Sequence, residues 1–147
     1  MNTVKDILAE KGKQVWSVEP KTSLIAALKM LRSHNVGALL VVEDGEVKGI
    51  ISERDFSYRI AEKSACPLNE AVSTWMTTEV IVVNLTTTIN ECMQLMSREH
   101  IRHLPVVDGG KLVGLISIGD VVRAVISGQQ STIMGLENYI LSQRLTN

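Results

Sequence analysis

The second half of this chain repeats the first. At an offset of 65 positions, Val15 aligns with Val80, and the alignment continues without a gap for about 45 residues at roughly one identity in four. The agreement is closest where GIISERD at 49–55 meets GLISIGD at 114–120. One such unit is too small to cover its own apolar faces, so the duplication predicts two copies that pack against each other.

Each copy begins with a strand and a helix. β-branched residues at 15–18 and 80–83 predict short strands, and Thr22 or Thr87 follows as a helix N-cap. Apolar residues then recur at helical spacing: Leu24, Ala27, Leu28 and Leu31 in the first copy, and Ile89, Cys92, Met93 and Met96 in the second.

A hairpin and a second helix complete each copy. Apolar strands flank a turn at 44–45 or 108–110 and end at Ser52 or Ser117, which predicts a β-hairpin. A helix follows from about Glu53 or Ile118. The sequence therefore predicts an α+β fold of two β-α-β-β-α motifs, related by a pseudo-twofold axis and packed sheet to sheet.

Two segments lie outside the duplication. Residues 3–10 predict a short helix in which Asp6 follows the capping Thr3 by three positions. The tail at 129–147 predicts an amphipathic helix that covers either the chain's own core or a partner. Its apolar stripe contains Ile133, Leu136, Ile140 and Leu141. The expected division is a first motif with its N-terminal helix at 1–65, a second motif at 66–128, and this tail.

Composition and charge exclude several classes. The formal net charge is −1 and no basic block occurs, which argues against nucleic-acid binding. The first thirteen residues lack the apolar centre of a signal peptide, and no run approaches the length of a membrane span, so we expect a cytoplasmic protein with no membrane partner. Cys66 and Cys92 lie outside any CxxC spacing and are expected to be reduced structural thiols.

The sequence favours a binding protein over an enzyme. No nucleophile with a base, carboxylate pair, Gly-rich phosphate loop or metal cluster occurs at a useful spacing. His100 and His103 form an HxxH pair, but no Cys or carboxylate accompanies them at ligand spacing, so we expect no metal site and no catalytic residues.

Each repeat carries a Ser followed three residues later by an Asp, at a helix start. Ser52 with Asp55, and Ser117 with Asp120, match a capping box, which stabilises a helix by about 1 kcal/mol and needs no ligand. The same carboxylate could accept hydrogen bonds from two ribose hydroxyls, while the helix N-terminus attracts phosphate. Both interpretations remain open at this level.

The duplicated hairpin ends resemble a known family. Two ungapped copies of Gly, two apolar residues, Ser, two residues and Asp, in a chain with ISERDF and IRHLPVVDGGKLVGLISIGDVV, resemble a tandem CBS pair, or Bateman module, over about 15–126. More narrowly, the chain is similar to stand-alone CBS-pair proteins of bacteria and plant mitochondria.

This resemblance implies a ligand and its contacts. Asp55 and Asp120 would hold the ribose of an adenosine ligand, and Ser52 and Ser117 would meet its phosphate. We use "Asp55 cleft" and "Asp120 cleft" for the space beside each carboxylate. The base would lie near Val15 and Trp16 in one cleft, and near Thr77, Thr78 and Val80 in the other, with Val36 and Ile101 as walls.

The resemblance also implies clefts of unequal charge. Arg102 and His103 stand where the family often has phosphate-neutralising residues, whereas the first copy has Gly37 and Ala38 there. We therefore expect the Asp120 cleft to hold phosphate more tightly. Arg54 could partly restore positive charge to the Asp55 cleft.

The expected function is that of a regulatory sensor. AMP, ADP, ATP or NAD(H) are the candidate ligands, and S-adenosylmethionine is a further one. The resemblance implies a homodimer of CBS pairs that signals to an unidentified regulated protein. The alternative is a ligand-independent dimerisation or scaffold protein.

Overall fold

The predicted helices and hairpins of both copies are confirmed in a computed structural model, which describes residues 2–146, with side chains as far as residue 143. The first half contains α1 (Val4–Lys11), β1 (Ser17–Val18), α2 (Leu24–His34), β2 (Ala38–Glu43), β3 (Glu46–Ser52) and α3 (Glu53–Lys63). The second half contains a 3₁₀ turn (Val72–Thr74), α4 (Ile89–Glu99), β4 (His103–Asp108), β5 (Lys111–Ser117) and α5 (Ile118–Thr146).

The hairpins of the two repeats have the same geometry. Asp44 and Gly45 both have positive φ, of 52° and 77°, and Gly109 and Gly110 match them at 57° and 79°. Two consecutive residues with positive φ form the tight turn that suits the twist of antiparallel strands. Each hairpin also has one irregularity in register, after Val41 and after Val106. The predicted hairpins are therefore confirmed down to their turns.

The predicted strand at 80–83 is reduced to a single bridge between Val83 and Val106. In the first repeat, the N–H of Leu40 on β2 donates to the carbonyl of Trp16, and β1 pairs with β2 in parallel. Pro105 stands at the equivalent place in β4 and has no N–H to donate. The prediction of a full strand was wrong for this reason.

The N-caps of α2 and α4 lie one residue later than predicted. Ser23 and Thr88 cap these helices in place of Thr22 and Thr87. The hydroxyl of Thr87 instead accepts the N–H of Asn84 and closes the preceding turn. In a run of hydroxyl residues, the position of that turn decides which one becomes the cap.

The segment that precedes each repeat packs against the other repeat. We call these the lead-in segments: α1 precedes the first repeat, and the 3₁₀ turn precedes the second. On α1, Val4, Ile7 and Leu8 are buried in the core of the second repeat, together with Leu104 and Ile116. The 3₁₀ turn and the residue that follows it instead supply Val72 and Trp75 to the core of the first repeat. The division expected at residue 65 follows the duplication, whereas each core is completed from the other side of that division.

Short backbone pairings fix this exchange. Thr3 bridges Thr88 at the start of α4, and Ala71 bridges Ser23 at the start of α2, both antiparallel. The predicted capping box of α1 is confirmed, because the side chain of Asp6 accepts the N–H of Thr3. Strands β3 and β5 contact each other between the repeats, which agrees with the predicted sheet-to-sheet packing.

Helix α5 continues without interruption from the second repeat into the tail. The predicted amphipathic helix is thus the distal part of a 29-residue helix. Its apolar side chains are exposed, including Ile133, Leu136, Ile140 and Leu141, so they do not cover the core of this chain. Within residues 2–146, no helix has the length and apolar character needed to cross a bilayer.

Candidate functional site

A cavity of about 440 Å³ opens between the repeats beside Asp55. It is the Asp55 cleft. The first repeat lines it with Gly37, Ile50, Ser52, Glu53, Arg54, Asp55 and Tyr58. The second repeat lines it with Thr77, Glu79, Val80, Ile81, His100, Ile101, Arg102 and His103. A small molecule that fills this cavity would therefore contact both repeats at once.

The carboxylate of Asp55 is held by the start of its own helix. Its Oδ2 accepts the N–H of Ser52 at 2.8 Å and the Ser52 hydroxyl at 3.1 Å, while the N–H of Asp55 donates to that hydroxyl. This is the capping box expected from the sequence. Among the described residues no donor reaches Oδ1 of Asp55, so one carboxylate oxygen remains available to a ligand.

The cationic side chains of the cleft come from both repeats. The Arg54 guanidinium donates to the carbonyl of His100 at 3.2 Å and lies 4.9 Å from the centre of the Tyr58 ring. Arg102 enters the same cavity from the start of β4, next to His103. Burial lowers the pKa of His103, and the positive charge of Lys11 lowers it further, against the opposing effect of the Asp120 carboxylate.

Arg102 and His103 are not confined to the cleft of their own repeat. The sequence argument paired them with Asp120, and both line the cavity that contains Asp55. His103 also pairs with Ser117 in its hairpin and lies close enough to Asp120 for that charge to act on its pKa. The pseudo-twofold packing brings the start of β4 towards the start of α3. Gly37, at the position equivalent to Arg102, lies beside the His103 ring, which a side-chain carbon at Gly37 would contact at an ordinary van der Waals distance of 3.5 Å.

Apolar and backbone groups form the other walls. Ile50 and Thr77 exchange two backbone hydrogen bonds, of 3.0 and 2.9 Å, and this pair joins the lead-in of the second repeat to β3. Val80, Ile81 and Ile101 add aliphatic surface from the second repeat. These groups could bind a flat heteroaromatic base through contact and backbone hydrogen bonds.

Seven residues expected at the two clefts do not line this cavity: Ser117 and Asp120, which belong to the other repeat's cleft, and Val15, Trp16, Val36, Ala38 and Thr78. The Trp16 ring stacks on His34 at 3.5 Å between centroids. Val36 packs against the core of the first repeat, and Ala38 is buried in β2. Trp75 is buried and donates to Glu70, as the packing interpretation of the sequence predicts.

Sequence reasoning missed several residues of the cleft: Ile50, Glu53, Tyr58, Glu79, Ile81 and His100. Tyr58 follows Arg54 by four residues on α3, so the two share a face of the helix. An aromatic residue on the same helix face as Arg54, which was expected to bind phosphate, was the signal in the sequence that could have identified Tyr58. His100 and Glu79 come close only through the packing of the two repeats, which no local pattern encodes.

The surroundings of Asp120 differ from those of Asp55. Asp120 repeats the capping box with Ser117, at 2.8 and 3.1 Å. In addition, the Lys11 ammonium donates to Oδ2 at 2.7 Å, and Arg123 donates to Oδ1 at 2.6 Å. Burial raises the pKa of Asp120, but the hydrogen bonds from Lys11 and Ser117 outweigh it and leave the pKa below the ordinary value of 3.8.

Possible metal ligands and the two thiols are the remaining reactive groups of the described residues. The described residues contain no group of three or more His, Cys, Asp or Glu side chains arranged to hold a metal ion. Cys66 is exposed and Cys92 is buried, and both are free thiols. Burial raises the pKa of Cys92 to about 11, so this thiol is unreactive at neutral pH.

Relatives share the architecture over most of the chain. The chain is 37% identical over 148 residues to the mitochondrial CBS domain-containing protein CBSX3 of Arabidopsis thaliana, covering 94% of this chain and 71% of that protein. It is 41% identical to a CBS-domain protein of Agrobacterium tumefaciens of known structure, with a TM-score of 0.81 over 83% of this chain and 98% of that one. The cytoplasmic location expected from the sequence stays a prediction.

Two similar structures contain ligands. One is CBSX2 in complex with AMP, at 29% identity and a TM-score of 0.71, covering 88% of this chain and 99% of that chain. The other is a CBS domain pair in complex with 5′-methylthioadenosine and S-adenosyl-L-methionine, at 28% identity and a TM-score of 0.74 over 86% and 97%. Residues 4–62 and 72–127 each match the CBS domain, and the chain belongs to the CBS domain family as a tandem pair.

Proposed function

We propose that this chain is a regulatory module that binds an adenosine-type ligand in the Asp55 cleft and transmits its occupancy to a partner protein. One observation supports the proposal: a single cavity is lined by Asp55 of the first repeat, whose Oδ1 accepts no hydrogen bond from the described residues, and by Arg102 and Thr77 of the second. A ligand that satisfies all three groups stabilises the repeats in one relative position.

Each part of an adenosine nucleotide has a matching group. The free Oδ1 of Asp55 accepts hydrogen bonds from the ribose hydroxyls, as acidic residues do in dinucleotide-binding folds. The start of α3 and the guanidinium groups of Arg54 and Arg102 attract phosphate. Val80 and Ile101 contact the base. The ligands of the two similar structures support an adenosine compound.

The charges in the cleft favour a ligand with low negative charge. Arg54 and Arg102 line the cavity with three carboxylates, those of Glu53, Asp55 and Glu79, and the lowered pKa of His103 disfavours its cationic form. The phosphate monoester of AMP and the pyrophosphate diester of NAD(H) carry less negative charge than the terminal phosphate chains of ADP and ATP. AMP or NAD(H) is therefore favoured over ADP and ATP.

S-adenosylmethionine is the second candidate ligand, because the carboxylates of Glu53 and Glu79 suit its positive charges. Both residues line the cavity together with Asp55 and could face a sulfonium or ammonium group. In that case the affinity would fall with added salt, since attraction between exposed charges is screened.

Regulation would follow from linkage. A ligand that binds only the closed arrangement stabilises it by RT ln(1 + [L]/Kd), about 2.7 kcal/mol at a hundredfold excess over Kd. A partner that recognises this arrangement then responds to the ligand concentration. The module thus acts without catalysis, and the regulated protein is another chain or domain.

We further propose that the module forms a homodimer through α5. Ile126, Ile133 and Ile140 recur every seven residues, and all three are about half exposed. This spacing forms one seam along a helix and suits pairing with a second copy. A ligand-independent scaffold would use the same seam, so the dimer by itself does not separate the two functions.

The deciding experiment compares wild type with Asp55→Asn. The substitution keeps an acceptor for the cap but replaces one carboxylate oxygen with a donor amide. We expect AMP to raise the melting temperature of wild type, and Asp55→Asn to weaken its affinity at least about tenfold by calorimetry. ADP, ATP, NAD, NADH and S-adenosylmethionine complete the panel.

Asp44→Asn is the matched control, because Asp44 lies at the far end of the hairpin with positive φ, a conformation that Asn tolerates. It should bind as wild type does. If no compound binds any variant, the sensor function is wrong and the scaffold remains. If Asp55→Asn binds as tightly as wild type, the ligand does not use this carboxylate.

A further inference from the structure

The two repeats treat their equivalent aspartates differently. Asp55 has no charged partner in an ion pair among the described residues, whereas Asp120 is paired with Lys11 at 2.7 Å and Arg123 at 2.6 Å. Tyr58 occupies the position in the first repeat that Arg123 occupies in the second. One of the two equivalent carboxylates, that of Asp55, is therefore open to a ligand, whereas that of Asp120 is already paired with two cationic side chains of the same chain.

Lys11 enters the Asp120 cleft from α1. Its ammonium also donates to the carbonyl of Leu115 at 2.9 Å. The equivalent carbonyl in the first repeat, that of Ile50, accepts the N–H of Thr77. A charged side chain thus takes the place that a backbone contact has in the other repeat, and it reaches the carboxylate as well.

The helix that carries Lys11 is firmly anchored. Val4 is fully buried, Ile7 is 4% exposed and Leu8 is 2% exposed, all within the core of the second repeat. Lys11 is the last residue of α1, and its side chain is 35% exposed. The ammonium can therefore leave Asp120 by rotation of its own side chain, while α1 stays in place.

A ribose would compete with Lys11 for Asp120. Hydrogen bonds between an ammonium and a carboxylate are roughly twice as strong as those between neutral groups. The Asp120 side chain is only 6% exposed, so little water screens this pair, whereas Arg123 is 72% exposed and contributes less. Lys11 is thus the main obstacle to a sugar at this carboxylate.

We propose that Lys11 is a tethered competitor that makes the two clefts fill in order. An adenosine ligand binds the Asp55 cleft first and enters the Asp120 cleft only when it displaces Lys11. This inference rests on the proposed function and concerns the regulation of the same pair of sites. Lys11 thereby sets the concentration at which the second site responds.

Calorimetry with AMP tests the order of filling. Lys11→Met keeps an unbranched aliphatic side chain and removes the ammonium. We expect wild type to bind one equivalent of AMP per chain, and Lys11→Met to bind a second with an affinity at least about tenfold higher than wild type shows at that site. Adding Asp120→Asn to Lys11→Met should remove this second equivalent.

Two controls separate the charge from other effects of substitution. Lys11→Arg keeps a cation at the same place and should retain the behaviour of wild type. Lys13→Met removes an exposed ammonium two residues away and should also bind one equivalent. Circular dichroism at the titration temperature establishes that every variant is folded.

The outcomes distinguish this inference from the proposed function. If wild type and Lys11→Met each bind one equivalent that Asp55→Asn removes, the proposed function stands and the competitor role is wrong. If wild type already binds two equivalents with equal affinity, the competitor role is also wrong. If none of the variants binds AMP, both the proposed function and the role of Lys11 are overturned.

Discussion

At the scale of single residues, one capping motif serves two different environments. Ser52 with Asp55 and Ser117 with Asp120 form nearly identical boxes, with matching distances of 2.8 and 3.1 Å. Helix stability requires only one oxygen of each carboxylate. The second oxygen remains open in Asp55 and is bonded to Arg123 in Asp120. A motif that looks the same twice in the sequence can therefore have a different role in each copy.

The ion pair of Asp120 predicts a particular dependence of stability on pH. Because its pKa is lowered on folding, Asp120 contributes stability above about pH 5, and this contribution is lost as the pH falls through the folded-state pKa. Asp120→Asn should lower the free energy of unfolding by about 1–2 kcal/mol at neutral pH. The difference from wild type should shrink below about pH 4.

Urea unfolding of both proteins between pH 6 and 3 measures this difference. The pKa values of Asp6 and Glu91 are also lowered, by hydrogen bonds from backbone N–H groups. Both residues are present in wild type and variant, so their contributions cancel in the comparison. A difference that stays constant over this pH range would contradict the assigned role of the ion pair.

At the scale of elements, the lead-in segments pack closely against two glycines at equivalent positions of the repeats, Gly49 and Gly114. A side-chain carbon at Gly49 would lie 2.6 Å from the Sδ of Met76 and 2.8 Å from the backbone oxygen of Thr77. At Gly114 the nearest atoms all belong to the side chain of Leu8, with both methyl groups at 2.8 Å. Backbone cannot move aside as the end of a side chain can, so the two contacts differ in cost.

We predict that Gly49→Ala destabilises the protein more than Gly114→Ala. The expected losses in free energy of unfolding are about 2–3 and about 1 kcal/mol, as for overpacked cores. Urea unfolding measures both. Gly49→Ala should also weaken AMP binding, because Thr77 lines the Asp55 cleft. Equal losses in the two variants would show that Thr77 moves as readily as Leu8.

At the scale of the whole molecule, the distal part of α5 carries apolar surface that the chain itself does not cover. Ile133, Leu136 and Ile140 are all more than half exposed. Within 129–147 the sequence has only two charged residues, Glu137 and Arg144, so little repulsion opposes the approach of a second copy. A long helix with this seam is typical of a pairing element.

We predict a dimer in sedimentation velocity at micromolar concentration, and a monomer for the double variant Ile133→Glu with Ile140→Glu. Two carboxylates in the seam would face their copies across the interface. Ser131→Glu with Asn138→Glu adds the same charge on the opposite face of the helix and should remain dimeric. A dimer that survives the seam substitutions would place the interface elsewhere.

The sequence by itself determined the repeated unit. The offset of 65, the alternating strands, the Asp-Gly turn and the Ser-x-x-Asp starts of α3 and α5 are local patterns, and each depends on interactions between residues near in the chain. The reduction of the strand at 80–83 to one bridge at Val83 could also have been anticipated, because Pro105 lacks an N–H wherever it lies.

The tertiary structure decided which repeat completes which site. Arg102 lies in the cleft of Asp55, and Lys11 neutralises Asp120 from 109 positions away in the chain. The pseudo-twofold packing creates both arrangements, and it depends on long-range burial of α1 and of the 3₁₀ turn. Periodicity records which face of an element is buried but not which partner covers it, so the charge of each cleft emerged only once the two repeats were packed together.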